Sequence, residues 1–251
     1  MYYPKILIDY LDLYLEELKT LILDETMSSF SEKHKKELEL IQSFKNSLEK
    51  LNENFHITVE YIKNGLDLAT HPEGGFYREF IRNTDQTTIF YLLPKHAISS
   101  WHSLKDTKEE FKLILGESLI IEKIGVDGIW KSKEEVKKNK NVIILKSETD
   151  KEFGDWFGAY TNGEYGLVTC KCTGPFEFGK FKLLDKENLN RFHSINPERK
   201  KIIDKLTPEN LKEKTNFLQS FFQICFCCKS IKKNEEQESL IDPSQNNTNI
   251  I

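Results

Sequence analysis

Apolar residues recur every three or four positions through residues 5–51. One stripe covers residues 5–23, and a second follows Ser29, which has Glu32 three residues on as in a capping box. The stripes consist of Leu7, Leu11, Tyr14, Leu15, Leu18, Leu21 and Ile22, then Leu38, Ile41, Phe44, Leu48 and Leu51. This spacing predicts two amphipathic helices that pair as a hairpin. The repeat is too short to indicate a coiled coil. We expect a structural cap or a dimer-forming element, with a regulatory partner site as the alternative.

After Gly74 the pattern changes to short runs rich in β-branched and aromatic residues, separated by Gly, Pro, Asn and Asp. These runs are residues 75–81, 87–93, 98–102, 111–115, 118–124, 142–145, 165–171 and 177–183. Such strands without intervening helices predict a sandwich or a closed jelly roll. A short helix over residues 58–64, capped by Thr58 and ended by Gly65, is predicted before them. The charged segment 131–141 predicts a solvated loop, and residues 196–206 predict a final helix packed on the barrel.

Composition and charge narrow the class of protein. A chain of 251 residues fits one main domain with extensions. A net charge of −4 gives no basic surface for nucleic acid. The sequence lacks the basic start of a secretory signal and any apolar run of about 18 residues. Its five Cys form two tight clusters, unlike a secreted disulfide framework. We therefore expect a cytoplasmic protein.

The sharpest local signal is HPEGGFYRE at residues 71–79. Its two glycines permit positive φ or a close approach of the backbone. Strand alternation puts Arg78 on one face and Tyr77 with Glu79 on the other. One of those faces points into a barrel, where a charged side chain needs a partner or a ligand. The alternative is a turn into a strand with an internal Arg–Glu pair, which the residues alone slightly favour.

A second signal is Ser100 and His102, which share one face of a predicted strand. A hairpin would bring Glu109 or Glu110 opposite His102, giving an acid–base pair or half of a metal site. A lone histidine in a strand is more often a hydrogen-bonded structural residue.

The third signal is the aromatic run DWFGAY at residues 155–160, in which Trp156 and Tyr160 could form the floor of a flat pocket. The same residues fit equally well in a core. Cys170 and Cys172 share one strand face, and the sequence lacks the two C-x₂-C pairs of a zinc ribbon, so structural zinc is not expected.

At these residues the chain resembles a known family. LDLATHPEGGFYREF is similar to the opening of the small cupin proteins of cupin family 5, a branch without an assigned general activity. SSWHSLKDTKEEFKLILGE and DWFGAYTNGEYGLVTCKCTGPFEFGKFKLL continue the similarity over roughly residues 57–206. The resemblance implies a mainly β protein, a cupin double-stranded β-helix or jelly-roll barrel with an N-terminal helical hairpin. We expect residues 1–55 to form the hairpin, 56–206 the barrel and 207–251 a tail, apolar and Cys-rich first and then disordered.

The resemblance also implies site residues. The family's pocket histidine falls on His102 and its acidic residue on Glu109, with Phe111 at the position of a family Trp. Lys112 stands where the family has histidine, so the second histidine of a metal-binding cupin is missing. His102 and Glu109 supply two metal ligands at best, fewer than the usual three. No cofactor is predicted, and a divalent metal at these two residues is left as a weak alternative.

The resemblance also implies that the chain is related to the sugar-nucleotide epimerases of the cupin superfamily. Those enzymes use a His as base and a Tyr as acid. We expect the barrel to bind a small polar ligand, a sugar or nucleotide sugar, with metal-independent isomerase or epimerase chemistry. His102, Tyr77 and Glu109 are the candidate catalytic residues. The candidate ligand-binding residues are Arg78, Glu79, Ser100, Phe111, Trp156 and Tyr160, Arg78 holding an anionic group and Tyr160 being a second candidate acid. The alternatives are a non-catalytic binding or scaffold protein, with the hairpin as partner site, and a metal-dependent cupin enzyme.

Two expectations concern oligomeric state and subcellular localisation. Uncovered strand edges favour pairing, so we expect a homodimer. Cys225, Cys227 and Cys228 lie beside aromatics and just before lysines, a pattern typical of palmitoylation backed by a basic patch. We expect an ordinary packed C-terminal helix here, with peripheral membrane association through palmitoylation of these cysteines as the alternative.

Overall fold

Two antiparallel sheets form the body of the computed structural model, which describes residues 4–24, 28–51, 55–138, 140–144 and 153–207. The strands are β1 (Ala69–Thr70), β2 (Phe76–Arg82), β3 (Gln86–Pro94), β4 (Ser99–Lys105), β5 (Glu109–Gly116), β6 (Leu119–Ile124), β7 (Trp130–Val136), β8 (Val142–Ile144), β9 (Phe153–Thr161), β10 (Tyr165–Thr173) and β11 (Phe181–Leu183). One sheet has the order β1-β2-β3-β10-β5-β8, and the other β11-β4-β9-β6-β7. The chain passes repeatedly between the sheets, so the expected mainly β jelly roll is confirmed.

An N-terminal helical hairpin covers the outer face of the first sheet. It consists of α1 (Pro4–Asp24) and α2 (Ser28–Glu49), and α3 (Val59–Gly65) follows it. The predicted stripes, apart from Leu21 and Ile22, whose side chains lie outside what the structure describes, form the buried side of the hairpin. They pack there with Phe80, Phe90 and Leu92 of the sheet. Thr58 caps α3, as predicted, because its hydroxyl accepts a hydrogen bond from the Tyr61 amide at 3.2 Å.

The outer face of the second sheet is covered by helices that follow the last strand. The sequence predicts one helix over residues 196–206, whereas the structure has α4 (Lys186–Ile195), a 3₁₀ turn and α5 (Lys200–Lys205). The break falls at Pro197, which begins the 3₁₀ turn. Phe192 and Ile203 bury their side chains against Trp101 and Trp156.

The charged segment 131–141 is not the predicted loop. Most of it belongs to β7, which pairs with β6 from Leu119↔Val136 to Ile124↔Trp130. Because β7 is the last strand of its sheet, its polar side chains reach solvent, and the alternating pattern is hidden by lysines and glutamates. The predicted strand over residues 177–183 is also shorter, since a 3₁₀ turn at Phe178–Lys180 precedes β11.

The space between the sheets is mainly apolar. Its buried side chains are Tyr91, Leu93, Leu104, Phe111, Leu119, Ile121, Val136, Val142, Ile144, Phe157, Ala159, Val168, Cys170 and Cys172. The buried polar residues include His102, Glu73 and Glu109, which form the candidate site. Within the residues described above, no helix is both long and apolar enough to cross a membrane.

Candidate functional site

The turn before β2 carries Glu73 into the protein. Gly74 has φ +114 and Gly75 has φ +70, values that a residue with a side chain rarely adopts. A Cβ on Gly74 would lie 2.1 Å from the Ile98 carbonyl oxygen. The Ser100 amide donates to the Glu73 carbonyl at 2.8 Å, which joins the turn to β4. The glycines therefore allow the contact that holds Glu73 beside β4.

His102 and Glu73 form a buried pair. His102 Nε2 lies 3.2 Å from Glu73 Oε2, and His102 Nδ1 lies 2.8 Å from the Ser100 carbonyl oxygen. The Ser99 hydroxyl donates to Glu73 Oε1 at 2.9 Å. Both side chains are more than nine-tenths buried. The sequence expectation that His102 pairs with Glu109 is thus replaced by a pair with Glu73.

Hydrogen-bonding geometry fixes the tautomer of this histidine. A carbonyl oxygen only accepts, so the Nδ1 that faces Ser100 carries a proton. A hydrogen bond between His102 Nε2 and Glu73 Oε2 then needs one further proton on one of these two atoms. In either arrangement the pair has no net charge, and it holds one proton that it can give and take back.

Glu109 is a second buried carboxyl in the same interior. Burial, and then the negative charge of Glu73, raise the pKa of Glu109 well above its usual range. Glu109 lies opposite Cys172 in the pairing of β5 with β10. Its Oε2 atom has no hydrogen-bond partner among the described residues. The structure thus places in the barrel a carboxyl whose pKa is raised and whose Oε2 atom is unsatisfied among the described residues.

Aromatic rings surround the pair. The His102 ring lies 4.0 Å from the Phe157 ring and 5.4 Å from the Phe181 ring, between centroids. His71 contacts the Tyr77 ring at 4.7 Å, and its Nδ1 is 3.7 Å from Glu73 Oε2. Phe181, His71 and Tyr77 are only partly buried. The pair therefore comes closest to solvent on this side of the barrel.

Several predicted residues do come together here. Phe111 belongs to the buried interior, and the Ser100 carbonyl orients His102. Tyr77 packs against the interior cluster beside His71. Burial and then the charge of Glu79 raise the pKa of the Tyr77 phenol, so it is protonated at neutral pH.

Four other predicted residues lie elsewhere. Arg78 faces the helical hairpin, and Glu79 binds Arg82 through both carboxylate oxygens at 2.7 Å. Trp156 packs on Phe192, and Tyr160 lies under Lys205, both beneath the helices that cover the second sheet. Strand alternation explains the separation, since these aromatic residues point away from the interior that Phe157 enters. The Cys225, Cys227 and Cys228 cluster lies outside the described residues.

The sequence reasoning missed Glu73 as the partner of His102. The signal was present, because Glu73 is the carboxylate of the HPEGG motif and the motif's glycines indicate a close approach. His71 and Tyr91 were missed as well. The Tyr91 hydroxyl donates to the Gly74 carbonyl at 2.8 Å and so supports the turn.

The donor atoms present do not fit a metal centre. His102 Nε2 and Glu73 Oε2 are directed at each other, and Nδ1 is taken by a backbone carbonyl. Across the part of the chain that the structure describes, no three His, Cys, Asp or Glu side chains are grouped to hold a metal ion.

Comparison with known proteins gives a consistent result. Residues 60–184 match the family model described as Cupin superfamily (DUF985). A solved protein from Shewanella oneidensis is 23% identical, with a TM-score of 0.51 over 61% of this chain and 99% of its own. A hypothetical protein from Leishmania major is 20% identical, with a TM-score of 0.51 over 61% and 99%. These two likenesses concern the fold alone. No curated protein matches the sequence.

Proposed function

The chain belongs to the cupin superfamily, in the family that residues 60–184 match, and from that premise we propose that its barrel binds a small polar ligand and transfers a proton to and from it. The ligand is a sugar or the sugar part of a nucleotide sugar. His102 with Glu73 is the proton-transfer pair, and Tyr77 is the second proton carrier.

The buried His102–Glu73 pair carries this proposal. Buried polar groups lower stability unless they are well paired, and apolar replacements of buried ion pairs are often neutral or stabilising. A fold that needed only packing at this place could use apolar residues, as the rest of the interior does. Titratable groups with fixed geometry in a barrel are typical of sites for proton transfer.

The pair can perform a keto–enol isomerisation with a closed proton balance. It first gives its shared proton to a carbonyl oxygen of the ligand. The His102 Nε2 lone pair, with the Glu73 carboxylate beside it, then removes a proton from the neighbouring carbon. The electron pair of the broken C–H bond forms the C=C bond of the enol, and the pair regains its proton. For an epimerisation, Tyr77 gives its phenol proton to the opposite face of the carbon, where the C=C electrons of the enol form the new C–H bond. The enol hydroxyl then gives its proton to the tyrosinate as the C=O bond re-forms, so both the pair and Tyr77 end as they began.

Deuterium exchange tests this function. The wild-type protein is incubated with keto sugars and nucleotide sugars in D₂O, and carbon-bound deuterium is measured by NMR. His102→Gln should abolish the exchange, and Glu73→Gln should lower it by about a hundredfold or more, the usual range for general acid–base groups. His193→Gln, on α4 outside the barrel, is the matched control and should leave it unchanged.

The same experiment separates chemistry from binding. One outcome is that a sugar stabilises the wild type against heat but not His102→Gln, while the wild type shows no deuterium exchange. In that case the barrel binds the sugar without transferring a proton, and only the binding part of the proposal stands. The proposal is refuted if no member of the panel stabilises the protein and none exchanges deuterium.

A further inference from the structure

Three basic side chains on the strands of the barrel have partners outside its interior. Arg78 binds Glu37, Lys112 lies over the Tyr10 ring, and Lys123 pairs with Glu134 at 2.5 Å. No lysine or arginine is among the buried residues of the described part of the chain. The expected role of Arg78 in holding an anionic group therefore has no counterpart in the interior.

The remaining titratable groups of the interior add no net positive charge. His102 and Glu73 share one proton and are neutral as a pair. Burial, followed by the negative charge of Glu73, raises the pKa of Glu109 well above its usual range, which favours its protonated form. Burial raises the pKa of Cys170 and of Cys172, which keeps both thiols protonated. An anion that entered would thus lose its water and meet no buried lysine or arginine.

Glu109 offers the atom that a ligand would meet. Its Oε2 is buried and unsatisfied in the described structure, and an unpaired buried polar atom is destabilising. A protonated carboxyl can both donate and accept a hydrogen bond. A hydroxyl, a carbonyl or an amide group of a ligand would satisfy it.

We infer that the barrel interior selects a small molecule without negative charge, and that Glu109 Oε2 forms a hydrogen bond with it. The inference rests on the proposed function, whose ligand class it narrows. A neutral sugar ring or keto group enters the interior, and a phosphate does not. An amine also enters, because Glu109 can give up its proton and then pair with the cation.

The test is a protein-observed NMR screen of fragments, with equal numbers of neutral, amine-bearing and carboxylate- or phosphate-bearing members. Fragments that perturb the amides of Phe111, Phe157 and Cys170 are assigned to the interior. We expect neutral and amine-bearing fragments, with anionic analogues of the same scaffold bound at least about tenfold more weakly, because like charges and unpaired buried charges are disfavoured.

Two variants of Glu109 sharpen the result. Glu109→Gln keeps the shape and the hydrogen bonds, so neutral fragments should bind within about threefold of the wild type, whereas amines should lose at least about tenfold. Glu109→Leu should weaken both classes, since it removes the hydrogen bond. Heteronuclear NMR spectra of each variant show whether the fold is retained.

The outcomes separate this inference from the proposed function. Anionic fragments that bind in the interior as tightly as their neutral analogues, and lose binding in His102→Gln, would overturn the inference and leave the proposed function standing. Neutral fragments that bind equally well to Glu109→Leu would overturn the role of Glu109. A screen without any hit in the interior would contradict both.

Discussion

Arg78 joins the helical hairpin to the barrel, and its removal should cost much of the stability of the protein. Its Nε and Nη2 atoms donate to Glu37 Oε1 at 3.1 and 2.5 Å, and Nη1 donates to the Leu66 carbonyl at 3.0 Å. The Tyr14 hydroxyl donates to the same Glu37 oxygen. The side chains of Arg78 and Glu37 are only 15% and 14% exposed. We consider Arg78→Met, which keeps apolar volume and removes the charge.

The magnitude follows from burial. Two unit charges about 4 Å apart attract by about 4 kcal/mol at an effective dielectric constant near 20. Loss of one partner of a buried pair lowers the free energy of unfolding by about 3–5 kcal/mol, because the other charge stays buried. Burial raises the pKa of Glu37, but the hydrogen bonds from Tyr14 and Arg78 lower it further, so its net shift is downward. Arg78→Met should reverse that shift.

The assay is urea unfolding followed by tryptophan fluorescence, with Trp101 and Trp156 on the far sheet as probes. Arg78→Met should lower the unfolding free energy by about 3–5 kcal/mol, and the double variant Arg78→Met, Glu37→Met should recover at least about 2 kcal/mol of it. Glu164→Gln breaks an exposed ion pair with Lys95 and should leave the midpoint unchanged.

The reasoning would be refuted by a double variant whose loss equals the sum of the single losses, since the pair would then not be coupled. It would fail equally if Arg78→Met moved the midpoint no more than the exposed control does.

Three further predictions concern the barrel. Gly74→Ala should lower the free energy of unfolding by more than about 1 kcal/mol, because the residue has φ +114 and the new Cβ would lie 2.1 Å from the Ile98 carbonyl; an unchanged melting temperature would contradict this. The pKa of Glu109 in the folded protein is raised above its ordinary 4.5, so the wild type should lose stability as pH rises from about 5 through that raised pKa. Urea unfolding at several pH values measures this, and Glu109→Gln should show a flatter dependence on pH. Cys170 and Cys172 have thiol pKa values raised by burial, so peptide mapping after iodoacetamide treatment should find both alkylated only in denaturant, and alkylation in the native protein would show that the interior is open.

A helix or strand could be predicted from the sequence when one of its sides is buried and the other is in solvent. The hairpin has one buried stripe and one solvated side, so its period is plain in the sequence. β7 has the same length as other strands, but it lies at an edge with most side chains in solvent, and its lysines and glutamates conceal the alternation. α4 was missed for a similar reason, since Phe192 is its one fully buried residue.

The site was harder to predict because its pairs span distant parts of the chain. His102 and Glu109 lie close in sequence, which favoured their pairing, yet a turn held by two glycines brings Glu73 to His102 from 29 positions earlier. Arg78 shows the converse. The alternation of the strand correctly placed Arg78 and Tyr77 on opposite faces. The local pattern does not show, however, that the face with Arg78 packs against a helix of the same chain.

Helices from both ends of the described chain cover the two sheets, and this arrangement sets the smallest piece of the protein that can fold. The segment shared with the family, residues 60–184, contains neither the hairpin nor α4 and α5. A protein cut to that segment would present Phe80 and Phe90 on one side and Trp101 and Trp156 on the other to water. Surfaces of that kind lead to aggregation. Expression and refolding should therefore succeed with residues 4–207 and fail with the family segment alone.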